Sequence, residues 1–278
     1  MWLSWQVGLA FAAGFGLVSV TARLMLRAGA GPRWRPVGAF AREAALIMVL
    51  YAVWQYAGGV SVMQVDGAQR RGRRLVAIQR AWHLPSEVLL QRLILPHPLW
   101  VQFANGYYAI MHVPGLIGFL VWAFVRDRDR YAHWRTVMAV STAVCLVLQL
   151  IPVAPPRMLA DLGFVDTAHL YQQSVYSALG RGMAGQLAAM PSVHVAWAMI
   201  VAMGMRDIAP TSPWRWMGMA HAVMTIVVVS ATANHYWADG IVAVALIGVA
   251  MVVLWAISSW LPSRTRRARV KGPGTART

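Results

Sequence analysis

Two short strings carry the chemistry of this chain. One is Pro191-Ser192-Val193-His194; the other is His235-Tyr236-Trp237-Ala238-Asp239. Each lies at the edge of a long apolar run, where an ionisable side chain is costly and marks a functional position. His235 and Asp239 are four residues apart, so a helix starting there puts them on one face. An aspartate so placed accepts a hydrogen bond from one imidazole nitrogen. That bond fixes the tautomer and leaves the other nitrogen free to attack. Asp239 is also the only acidic residue well inside the C-terminal apolar half. Pairing with His235 offsets the cost of burying its charge.

His194 opens an apolar run just after Pro191, a residue suited to a first helical turn. Ser192 is placed to cap that helix or to contact a phosphate oxygen. The free N–H groups of a helix N-terminus also favour anions. Arg157 follows Pro155 and Pro156; its guanidinium fork suits phosphate, and the prolines stiffen the turn. The set comprises a nucleophile with its orienter, a second histidine for proton delivery and an anion clamp. Phosphoryl transfer without a metal or cofactor needs these groups. Asn105, Tyr108 and His112 recur upstream at helical spacing and share a face. They read as an interhelical hydrogen-bond network or as head-group or leaving-group contacts near the site. His221, mid-run among methionines and valines, reads as structural.

These residues need elements to hold them. The 278 residues are 59% hydrophobic and 12% charged, and the mean hydropathy is +0.53. Soluble domains carry about twice that share of charge, so an all-α, polytopic membrane bundle is expected. Seven apolar runs meet the length of roughly 20 residues that a spanning helix needs. They cover about 4–25, 40–60, 102–125, 135–153, 192–208, 214–233 and 237–260. The first has no basic region before it, so it reads as a retained span rather than a cleaved leader. Four regions result: N-terminal spans over 1–62, an interfacial segment over 63–99, the bundle carrying the chemistry over 100–262, and a basic tail over 263–278.

The net charge of +16 does not indicate nucleic acid, because no basic stripe with interleaved aromatics accompanies it. The 25 basic residues lie mostly in connections on one side of the seven-span order and in the tail. That side is expected to be cytoplasmic, which leaves Arg157, His194 and His235 on the outer face of a cell membrane. The exception is the stretch from Arg70 to Arg92, where Leu75, Ile78 and Trp82 repeat at helical spacing. It reads as an amphipathic helix in the interface, serving as an anchor or steering an anionic head group. The tail is expected to lie near anionic lipid. Cys145 is the one cysteine and cannot form an intramolecular disulfide.

Pro191-Ser192-Val193-His194 resembles the second signature of the type 2 phosphatidic acid phosphatase superfamily, usually Pro-Ser-Gly-His. His235 with Asp239 is similar to its third signature, and Arg157 falls where the first has its phosphate-binding arginine. The resemblance implies that His235 attacks phosphorus to form a phosphohistidine, oriented by Asp239, and that His194 protonates the leaving oxygen. The substrate it implies is a lipid phosphate or phospholipid in the bilayer. There are departures. Leu150 stands where the first signature has a lysine, and Val228-Val229 where the third opens with Ser-Arg. His235-Tyr236 with Asp239, and Ala154-Pro155-Pro156-Arg157, are similar to the inositol phosphorylceramide synthase and sphingomyelin synthase branch. That branch moves a phospho-head group onto a lipid alcohol, so hydrolysis and transfer both stay open. Two other classes compete. A metal-dependent hydrolase would use His194, His235 and Asp239 as ligands, but Arg157 would repel the cation. A transporter would line a polar pathway with the same residues.

Overall fold

The computed structural model describes residues 3–60, 67–174 and 186–260. The basic tail expected over 263–278 lies outside the described residues. Two long helices come first, α1 (Trp5–Arg27) and α2 (Trp34–Val60). They pack through small residues: Ser19 Oγ donates to the Gly38 carbonyl at 3.1 Å. Next come α3 (Ala68–Ala81) and α4 (Glu87–Ile94), both short. α5 (Pro98–Ile110), α6 (His112–Arg126) and α7 (Arg128–Leu148) follow. Two 3-10 turns, Pro156–Met158 and Ala160–Leu162, lead to the one-turn α8 (Thr167–Leu170). The last three helices are α9 (Val193–Ile208), α10 (Trp214–Ala231) and α11 (Trp237–Trp260). The described residues form an all-α bundle whose only sheet-like pairing is a single bridge between Val153 and Ala188.

The sequence predicts about six or seven spans and an interfacial amphipathic helix. Four described helices are long and apolar enough to cross a bilayer, and a fifth candidate is a bent pair. The four are α1, the part of α2 from Trp34 to Tyr56, α7 and α11. The third expected run is not one helix. It breaks at Met111 into α5 and α6, bent by 50°. Pro114 lacks the N–H that would bond the Ile110 carbonyl, so the helical ladder is interrupted there. The fifth and sixth runs form helices of 16 and 18 residues. Those lengths are about 24 and 27 Å, short of a hydrocarbon core of about 30 Å. α9 is instead an inner helix, with most of its residues buried.

The main core joins α6, α7, α9 and α11 through residues such as Phe119, Trp134, Val137, Ile200 and Ile247. Between helices in a bilayer, van der Waals fit rather than escape from water holds such a core. Gly204 shows how close that fit is: a Cβ there would stand 2.3 Å from Phe119 Cζ. The ends of α7 and α10 and the starts of α9 and α11 meet at one end of the bundle. Gln149 Nε2, just past α7, donates to the Pro191 carbonyl at 2.8 Å, ahead of α9. The Ser192 N–H donates to the Asp239 carbonyl at 3.3 Å.

The first N–H groups of any helix have no partner within it. α11 finds its partners on distant elements. Trp237 N–H donates to Glu87 Oε1 of α4 at 3.0 Å. Ala238 N–H donates to Gln79 Oε1 of α3 at 2.9 Å. Gly72 makes the approach possible, because a Cβ there would lie 2.7 Å from the Tyr236 hydroxyl and 2.8 Å from the Ala154 carbonyl. That hydroxyl donates to that carbonyl at 2.7 Å. The segment expected to lie in the interface therefore buries Gln79 and Glu87 beneath the loop that holds His235. Its outer face keeps Ile78 and Trp82 exposed.

Two stability measurements check this packing. Gly204→Ala is expected to lower the thermal midpoint in detergent, at a cost of about 1–3 kcal/mol. Adding Phe119→Leu should recover most of that loss. Gln79→Leu strands the Ala238 N–H and should cost about 1–3 kcal/mol in the same assay.

Candidate active site

The loop between α10 and α11 is held by its own backbone. Ala233 is left-handed, with φ 53°, which costs a non-glycine residue about 1 kcal/mol. Local bonds offset that cost. The N–H groups of Asn234 and His235 both donate to the Val229 carbonyl, at 3.0 and 3.1 Å. Asn234 Nδ2 donates to Thr232 Oγ1 at 2.8 Å. The Ala233 carbonyl accepts the Arg157 N–H at 2.8 Å, which ties the arginine turn to this loop.

His235 comes next and is buried. Its Nδ1 lies 2.7 Å from the Ala189 carbonyl and 3.3 Å from Asp239 Oδ2. Both partners are acceptors, so we assign the ring proton to Nδ1. Nε2 then keeps its lone pair, and it lies 3.1 Å from His194 Nδ1. By the same logic His194 donates in that bond. Burial pushes the His235 imidazole down to about 4; the Ala189 bond opposes this and the Arg157 charge adds to it. The ring is therefore neutral at neutral pH.

Asp239 shares Oδ2 between His235 and the Tyr236 N–H, which donates at 2.8 Å. Among the described residues its buried Oδ1 has no hydrogen-bond partner. The shorter bond to His235 comes from Ala189, which no spacing in the sequence announces. Arg157 is buried in the first 3-10 turn. Its guanidinium donates to Gln186 Oε1 at 3.0 Å and pairs with Asp166 Oδ2 at 3.7 Å. Ser192 is the N-cap of α9, accepting the Val195 N–H at 3.2 Å. Pro191 therefore stands outside the helix rather than in its first turn.

The upstream group divides. Asn105 binds the Thr167 carbonyl and Gln173 through Nδ2, each at 3.1 Å, and accepts from Thr167 Oγ1 at 2.9 Å. It joins α5 to α8. Tyr108 and His112 instead face the site. Their rings lie 4.7 and 4.6 Å from that of His194. His112 Nδ1 donates to the Tyr108 carbonyl at 3.0 Å, and its buried Nε2 has no partner among the described residues. His221 sits behind them, with Nδ1 2.6 Å from the Tyr107 hydroxyl. Among the described residues, no three His, Cys, Asp or Glu side chains converge as a metal site.

The structure thus brings His194, His235, Asp239 and Arg157 into one layer, beside Tyr108 and His112. A neutral imidazole with a free lone pair can attack phosphorus. A second imidazole in contact can pass a proton, and a guanidinium can hold the oxygens. Gln79, Glu87, Gln149, Asp166 and Gln186 complete the surroundings. No motif or periodicity marks them in the sequence.

Residues 73–265 match the family model of the PAP2 superfamily. No curated protein and no solved structure matches the chain. The matched stretch starts within α3 and passes the end of α11. It takes in every segment that carries the site and leaves α1 and α2 outside. A match over more than half of the sequence, with helices long and apolar enough to cross a membrane, establishes that this chain belongs to the PAP2 superfamily.

Proposed function

We propose that the protein is an integral-membrane lipid-phosphate phosphatase or phosphotransferase that works through a phosphohistidine at His235. The contact between His194 Nδ1 and His235 Nε2, at 3.1 Å and beside Arg157, carries this reading. The two imidazoles bond to each other. A phosphoryl group entering between them replaces that bond, which is worth about 1 kcal/mol net. Its oxygens compete with Asp166 and Gln186 for the Arg157 guanidinium.

The chemistry follows in two halves. His235 Nε2 attacks phosphorus, and the bond from phosphorus to the lipid oxygen breaks. His194, as imidazolium beside the anionic substrate, gives that oxygen its proton and becomes neutral. The Ala189 carbonyl and Asp239 hold the Nδ1 proton of His235 while its ring carries positive charge. In the second half, neutral His194 takes a proton from water or an alcohol. The resulting nucleophile displaces phosphorus from Nε2 and restores both histidines. Ser192 keeps His194 in place by capping α9. Tyr108 and His112 pack against the moving ring.

Transfer to a lipid alcohol is the second reading. Leu150 and Val229 are apolar where phosphatase signatures carry cations, and Val228 and Val229 are buried in one cluster with Tyr108 and Val195. The site is placed on the extracytoplasmic face by this proposal, from the charge asymmetry of the connections.

Phosphate release from lipid phosphates in detergent tests the assignment. His235→Ala and His194→Ala should each lose at least about 100-fold in turnover in protein that still inserts and folds. His235→Ala also lowers the thermal midpoint, because it removes a donor to the buried Asp239, so His235→Gln serves as a second variant with the same expected loss of turnover. Phosphate release by His235→Ala at the wild-type rate contradicts the nucleophile. Arg157→Lys should raise KM, because an ammonium cannot reproduce the guanidinium fork. For sidedness, Ser86→Cys should react with an impermeant thiol reagent added outside intact cells, and Ala28→Cys, across the α2 span in the α1–α2 connection, should not. The reverse pattern contradicts the orientation.

A further inference from the structure

An apolar groove separates α2 from the wall formed by α6, α7 and α9. Two cavities compose it, one of about 320 Å³ beneath Trp197 and one of about 160 Å³ further along α6. Both are lined by Ile47 and Met48 of α2 and by Ile117 and Leu120 of α6, so they adjoin one another.

The groove is bridged at both ends. At one end Trp54 meets Trp197, with ring centroids 5.1 Å apart. At the other, Phe40 meets Phe124 at 5.8 Å, and Glu43 pairs with Arg135 and accepts from the Tyr131 hydroxyl. Between these ties the helices stand apart. Water gains little in a space lined almost wholly by apolar side chains, whereas a hydrocarbon chain matches it.

Position relates the groove to the site. Val113 and Pro114 line its upper end and directly follow His112, whose ring touches that of His194. Trp197 lies three residues after His194, on the same side of α9. The groove thus begins about one helical turn, roughly 5 Å, below the imidazoles. From Val113 to Phe124 it follows α6 for about 16 Å. That is roughly the depth of one leaflet, half of a core of about 30 Å.

We propose that this groove binds the hydrocarbon tail of the lipid whose phosphate enters between His194 and His235. The inference rests on the function proposed above and extends it to the substrate's apolar half. It gives the α1–α2 hairpin, which lies outside the family match, the task of selecting the tail. The phosphate stays in the polar layer while the chain descends along α6 between that hairpin and the bundle.

Two variants and a label test it. Ala143→Trp narrows the groove from α7 without touching the polar layer. It should lower kcat/KM for a long-chain lipid phosphate by about tenfold or more and leave a short-chain soluble phosphate ester within about twofold. Trp54→Ala widens the upper end and should shift preference toward bulkier, branched chains. Equal effects on long and short substrates in both variants, at an unchanged thermal midpoint, overturn the proposal. The label is a lipid phosphate with a photoreactive group along its chain. It should mark peptides containing Ile47 and Ile117, and unlabelled long-chain substrate should suppress the marking. Uniform, unsuppressed marking of all lipid-facing helices means bilayer lipid only and also overturns the proposal. Should the wild type release phosphate from no substrate, the function reading fails, and suppressible marking still decides whether the groove takes a tail.

Discussion

Asp239 places a carboxylate in the first turn of a helix inside an apolar bundle, and the site is built around satisfying it. A buried charge needs donors. The Tyr236 N–H and the His235 Nδ1–H supply them, and the helix N-terminus adds its dipole. Those bonds fix the His235 ring so that Nε2 points at His194. They also fix where α11 starts, so its remaining N–H groups must find acceptors elsewhere. Gln79 and Glu87 provide these from α3 and α4. The loop before α11 then offers the Ala233 carbonyl to Arg157. Orientation of the His235 ring, placement of Arg157 and docking of α3 and α4 follow from one set of buried polar groups.

The sequence made part of this legible. Helical spacing linked His235 to Asp239, and the edges of apolar runs exposed His194 and Arg157. The other acceptor on His235 Nδ1 was hidden. Ala189 contributes a backbone carbonyl, and a backbone group has no signature in residue type. Gln79, Glu87, Gln149 and Gln186 were hidden for a related reason. Each is a single polar residue whose partner lies far away in the chain, so no period reveals it. The all-α bundle was readable from apolar run length, but the number of spans was not. Run length does not distinguish a helix that faces lipid from α9, which is apolar because other helices surround it. Pro114 carried a break signal inside the third run, and the 50° bend appears where its missing N–H requires one.

The molecule also divides by solvent. Its polar layer lies at one end, where four helix termini meet and N–H groups, carbonyls and imidazoles satisfy one another. Below it most buried side chains are apolar and close packing dominates, as Gly204 against Phe119 illustrates. The residues matched to the PAP2 superfamily contain both parts of that arrangement. The N-terminal hairpin stands beside them, bridged to the bundle at its ends and apart in between. A lipid phosphate has the same division, with a charged head and an apolar body.

The most direct measurement locates the phosphoryl group on the trapped enzyme. Quenching in base during turnover of a lipid phosphate, followed by peptide mapping and phosphorus NMR, should find one phosphohistidine, at residue 235 and bonded through Nε2. A phosphoryl group on His194, one on Nδ1 of His235, or turnover with no covalent phosphoenzyme would contradict the account.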